Sequence, residues 1–177
     1  MRISRKNLIH SSIILISFLL VTNLYAASVN EPQLKSRFGD WRVFAHEING
    51  EKLCYIASTP IKQDPNDRNW NPNFFISKIK LNGKNYNQPS LYIGYKLKGE
   101  TSVSIKILNS TFRLATDEAR ERAWLVTEDE EQKIIEAMKK GYQMIIKGTS
   151  EFGTNTTDHY SLKGVIRSLQ ELDSICP

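Results

Sequence analysis

The stretch Thr101-Ser102-Val103-Ser104-Ile105-Lys106-Ile107-Leu108-Asn109-Ser110-Thr111-Phe112-Arg113-Leu114-Ala115 decides the fold. Val103, Ile105 and Ile107 alternate with Ser102, Ser104 and Lys106, the period of two that sends successive side chains to opposite faces of a β-strand. Asn109-Ser110 is turn chemistry, and the strand-forming residues resume at Phe112–Ala115. A strand over 103–108, a turn and a returning strand over 112–115 are therefore expected.

The same reading extends in both directions. Toward the N-terminus, Leu91–Tyr95 and Phe74–Leu81 are strand-like, whereas Gln63–Pro72, with two prolines, three asparagines and two aspartates, reads as a loop. Further back, Trp41–Phe44 follows a Gly39-Asp40 turn, and Asn49-Gly50 separates it from Leu53–Ala57 with hairpin spacing. Toward the C-terminus, Ala123–Val126 is a short strand. A helix follows it: Thr127 and Glu130 have capping-box spacing, Glu128–Glu131 crowd the first turn, Lys139 and Lys140 sit in the last, and Gly141 stops it. Tyr142–Gly148 and Tyr160–Leu162 return as strands, and Gly164–Ile175 reads as a terminal helix.

Many short strands with only late helices predict an all-β fold, mainly an antiparallel β-sandwich or barrel, with one or two short helices packed on it. Trp41, Trp124 and Tyr160, bulky aromatic residues on these strands, are the expected core anchors.

The chain has 177 residues, 24 Lys+Arg against 19 Asp+Glu, and 40% hydrophobic residues. That is enough apolar material for a folded domain and too much for disorder. Its net charge of +5 invites a nucleic-acid or membrane-surface reading. The distribution of charge argues against it. Arg2, Arg5 and Lys6 precede the apolar run Ile13–Val21, which ends near Tyr25-Ala26-Ala27, the layout of a secretory signal peptide. Cleavage after Ala26 removes those three cations and no acid, so residues 27–177 carry about +2 and form a single β-rich domain. No second apolar run reaches the roughly 17–25 residues of a membrane span. Exported proteins oxidise their thiols, so the two cysteines, Cys54 and Cys176, are expected to form one disulfide joining the start of the domain to its last residues.

No chemical motif stands out. Asp158-His159-Tyr160-Ser161 gathers triad-type residues, but neighbours in a strand point to opposite faces. Gly148–Asn155 lacks the Lys and helix of a phosphate loop and reads as a polar hairpin loop. Glu128–Glu131 suit a helix N-terminus without any cation. Lys78, Lys80, Lys84, Lys96 and Lys98 would meet an acidic surface such as lipopolysaccharide if they shared a face, and otherwise serve solubility. No catalytic residue, metal ligand or cofactor is expected, and binding residues are left open.

Several stretches taken in order resemble the invasion-associated locus B family of alphaproteobacterial envelope proteins. They are Phe38-Gly39-Asp40-Trp41-Arg42-Val43-Phe44, Lys52-Leu53-Cys54-Tyr55, Asn73-Phe74-Phe75-Ile76-Ser77, Ile93-Gly94-Tyr95 and Arg122-Ala123-Trp124. The series continues with Ala137–Gly141, Ile146–Ser150 and Gly153 through Gly164, and closes on Cys176. Longer members place a Cys directly after the first strand, where this chain has Phe44, so the likeness is to a shorter branch. The resemblance implies a non-enzymatic β-sandwich protein, periplasmic, outer-envelope-associated or secreted. Such a protein would bind another envelope or host protein, or support the envelope, in connection with host-cell invasion. A glycan- or lipid-binding domain, or a hydrolytic one, using the loop-rich end at Gln63–Pro72 and Thr149–Asp158, is the alternative.

Overall fold

Each period-two stretch becomes a strand in a computed structural model, which describes residues 31–48, 50–81 and 83–177. In chain order these are β1 (Gln33–Phe38), β2 (Trp41–Ile48), β3 (Glu51–Ser58), β4 (Lys62–Asp64), β5 (Asn73–Leu81) and β6 (Lys84–Tyr92). Then follow β7 (Val103–Ile107), β8 (Ser110–Thr116), β9 (Arg122–Trp124), helix α1 (Glu128–Lys140), β10 (Gln143–Thr149), β11 (Asn155–Ser161) and helix α2 (Val165–Ile175). The fold is mostly antiparallel β-sheet with two helices, as the alternation predicts. The expected signal peptide lies outside the described residues.

All pairings between the strands are antiparallel, in the order β1-β2-β3-β5-β6-β9-β8-β7-β10-β11-β4. The sheet folds back so that its first half (β1, β2, β3, β5, β6) faces its second (β8, β7, β10, β11, β4). Trp41 on β2 donates its indole N–H to the Ser161 carbonyl on β11 at 3.0 Å, and the Phe74 ring on β5 lies 6.4 Å from the Tyr160 ring. The inward positions of both halves, Val43, Ile56, Ile76, Val103, Ile105, Met144 and Ile146 among them, form one core.

Backbone contact closes the same junction. Gly39, between β1 and β2, has φ +56°, and a Cβ there would sit 2.3 Å from the Lys163 carbonyl oxygen. Gly164, at the start of α2, has φ +97°, and its Cβ would sit 1.9 Å from the Phe38 carbonyl oxygen. Both the handedness and the space demand glycine. The Asp40 N–H then reaches the Lys163 carbonyl at 3.1 Å.

The helices cover what the two halves leave open. Thr127 caps α1, its hydroxyl accepting from the Glu130 N–H at 3.3 Å and donating to the Glu130 carboxylate at 3.0 Å. Ile134, Ile135 and Met138 bury its inner side. α2 packs on β1, β2 and β3 through Val165, Leu169 and Leu172. Cys54 of β3 and Cys176, just after α2, are disulfide-bonded with Cα atoms 6.3 Å apart.

Several boundaries differ from the sequence reading. The edge strand β1 is mostly exposed, so Lys35, Ser36 and Arg37 leave no apolar alternation to find. Lys62–Asp64, inside or beside the expected loop, is a three-residue edge strand on β11. β6 begins at Lys84 rather than Leu91. Pro89 is tolerated there because β9 pairs only with Ser90–Tyr92, leaving Pro89 with β5 alone. Of the expected core anchors, Trp41 and Tyr160 are fully buried. Trp124 is not: in β9 it is Ala123, followed by Leu125, that points inward, and the indole between them takes the half-exposed side.

Candidate functional site

Three places concentrate polar or accessible chemistry. The first is buried at the loop-rich end. Thr156, Asp158 and Tyr160 alternate inward along β11, and Tyr95 enters the same space and shares a hydrogen bond with the Thr156 hydroxyl. Asp158 is 3% exposed. Its burial pushes the carboxyl up to about 6, against the opposing effect of a hydrogen bond from Gln63 of β4. Burial, partly offset by the Thr156 hydrogen bond and reinforced by the charge of Asp158, pushes the Tyr95 phenol up to about 12. The Tyr160 hydroxyl has no hydrogen-bond partner among the described residues, and burial first, then Asp158, raises it well above the usual phenol range.

This arrangement separates the triad-type residues of the sequence. Asp158 and Tyr160 face the core, while His159 and Ser161 take the outward positions of the same strand. The Trp70 ring packs 4.4 Å from the Tyr95 ring, so side chains fill the inner part of the loop-rich end.

The second place is an open cleft of about 1120 Å³ at the opposite end, below the disulfide. Ile48, Leu53, Ile79 and Ile175 line it together with Glu51, Lys52 and Lys80. Lys52 donates to the Ile175 carbonyl at 2.6 Å and so satisfies the C-terminal end of α2. Lys78, only 14% exposed, pairs with Asp173 of the same helix.

The third place is the outward face of the second half, with a depression of about 320 Å³ lined by Ser102, Ser104, Lys147, Thr149, Asn155 and Thr157. The pairing register sets two rows across it. One runs Lys62, His159, Ile145, Lys106, Thr111 from β4 to β8; the other runs Asp64, Thr157, Lys147, Ser104, Arg113. Lys62, Lys106, Arg113 and Lys147 are all exposed.

The five lysines noted in the sequence do not gather. Lys78 is held by Asp173 and Lys80 borders the cleft. Lys84 opens β6, Lys96 pairs with Glu151 at 3.5 Å, and Lys98 lies beside Thr149. The cations that do share a face come from β4, β7, β8 and β10. Sequence alternation marks Lys106 as outward, but only the register of distant strands brings Lys147 beside it.

No family model matches the chain, and no curated protein matches it in sequence. Among solved structures, the chain is similar to invasion associated protein B from Bartonella henselae, with a TM-score of 0.61 and 15% identity. The match covers 81% of this chain and 97% of that one, a likeness of fold.

Proposed function

We propose that the protein is an exported, non-enzymatic envelope protein of the invasion-associated locus B type, working by binding another envelope or host protein or by supporting the envelope, and aiding colonisation or invasion of host cells. The observation that carries this reading is the fold shared with invasion associated protein B over 97% of that protein's chain. Two further features support it. The N-terminal sequence has the charge and apolar layout of an export signal, which would release residues 27–177 as a single domain in the periplasm, at the outer envelope or outside the cell. The Cys54–Cys176 disulfide suits an oxidising compartment. The cleft below Cys176, lined by apolar side chains and by charges of both signs, is where a protein partner would be engaged.

The test is genetic. Deleting the gene in the organism that encodes it should lower invasion or colonisation of host cells, and a plasmid copy should restore it. Unchanged invasion, together with an intact envelope under detergent stress, would contradict the proposal.

A further inference from the structure

We propose that the outward face of β8, β7, β10, β11 and β4 is a docking surface for a polyanionic glycan, a sulfated or phosphorylated polysaccharide lying flat across the strands. The inference goes beyond the envelope role and holds whether or not the protein acts in host invasion.

Charge carries it. Lys62, Lys106, Arg113 and Lys147 occupy outward positions on the two rows. Asp64, at the far edge, is the sole carboxylate in those rows. Among the described residues none of these four cations has a carboxylate within salt-bridge distance. Helix α1 is different: Lys133 pairs with Asp129 and Lys139 with Glu136, the interspersed pattern that solubility favours. A domain near +2 overall has no need to segregate four cations on one face.

Spacing and lining choose the ligand. Lys106 and Lys147 are diagonal neighbours on adjacent strands, roughly 7–8 Å apart. Arg113 lies two strands from Lys147 in its row, about 10 Å, and Lys62 three strands from Lys106, about 14 Å. Such a spread suits repeated anionic groups along an extended chain better than one phosphate. Between the cations stand hydroxyls: Ser102, Ser104 and Thr149 line the depression, and Thr157 and Thr111 lie in the rows. These can exchange hydrogen bonds with sugar hydroxyls.

The rows contain no Phe, Tyr or Trp; their one ring is the His159 imidazole, too little for the series of stacking platforms that single-stranded nucleic acid uses. Their one apolar member, Ile145, is half-buried and offers little to insert into a membrane.

The experiment compares the purified protein with two double variants on immobilised heparin, a sulfated glycan, and on neutral dextran. K106E/K147E reverses the face, while K133E/K139E makes the same net-charge change on α1. Circular dichroism and Tm confirm that both variants are folded. The expected result is retention on heparin and not on dextran, weakened about tenfold or more in K106E/K147E at about 0.1 M salt and little changed in K133E/K139E. Three results would overturn the proposal: no retention of the unaltered protein, equal loss in both variants, or binding confined to phosphatidylglycerol vesicles or duplex DNA.

Discussion

The two halves of the sheet use the same alternation to build opposite outer faces. On the first half, across β2, β3 and β5, Phe44 stacks on Tyr55 with ring centroids 5.1 Å apart, and Tyr55 meets Phe75 edge to face at 5.9 Å. On the second half the equivalent outward positions carry mainly lysine, arginine, serine and threonine, with Ile145 the one apolar member of the two rows. The inner faces differ too: α2 and the disulfide brace the first half, whereas the second buries the polar cluster around Asp158. A braced half and a half that keeps charged and polar groups where packing does not require them are different things. The first is the rigid frame around the cleft proposed for a protein partner, and the second leaves a cationic outer face free.

The largest expected effect comes from cutting the brace. Reducing Cys54–Cys176, which closes a separation of 122 residues, should cost about 5 kcal/mol in the chain-entropy treatment, measured by urea unfolding with and without reductant. A loss under about 1 kcal/mol would remove the disulfide from the account. Next, Trp41→Ala should cost about 3–5 kcal/mol, because it empties the core and removes the hydrogen bond joining the halves. Trp124→Ala, half-exposed, should cost clearly less in the same assay.

Asp158 tests the second half by pH. Its folded carboxyl titrates near 6, above the ordinary unfolded value of about 3.9, so the native state holds the proton more tightly. The contribution of Asp158 to stability should therefore be greatest below about pH 4 and be lost as pH rises toward and through 6, by about 2–3 kcal/mol. Asp158→Asn should flatten that profile and stabilise the protein at pH 7.5. A profile that rises between pH 4 and 6 in the unaltered protein, and flattens in the variant, would show that the burial account is wrong.

The smallest effects concern the outer faces. Phe44→Ala should cost about 1 kcal/mol through lost ring contacts, whereas Lys147→Ala should change stability by less than about 0.5 kcal/mol. Equal losses would erase the distinction between the faces.

How much of this was legible before the structure depended on range. Val103–Ile107 and the Thr127 cap were readable because alternation and capping are local. β1 and β4 were not, since edge strands with polar side chains lose the apolar signal. Trp124 misled because size alone does not say which side of a three-residue strand a residue takes. The cationic face was hidden for another reason. Lys62, Lys106 and Lys147 are far apart in sequence and meet only through the β4-β11-β10-β7 pairing, and long-range register leaves no mark in a single chain.

The central claim is that this is an exported domain stapled between its first strands and its last residues. Intact-mass analysis of the protein from the cells that make it, alkylated with and without prior reduction, tests that claim most directly. The account predicts a chain beginning at Ala27 that takes up no alkyl group until reduced and two afterwards. A chain still carrying residues 1–26, with both thiols alkylated before any reductant is added, would contradict it.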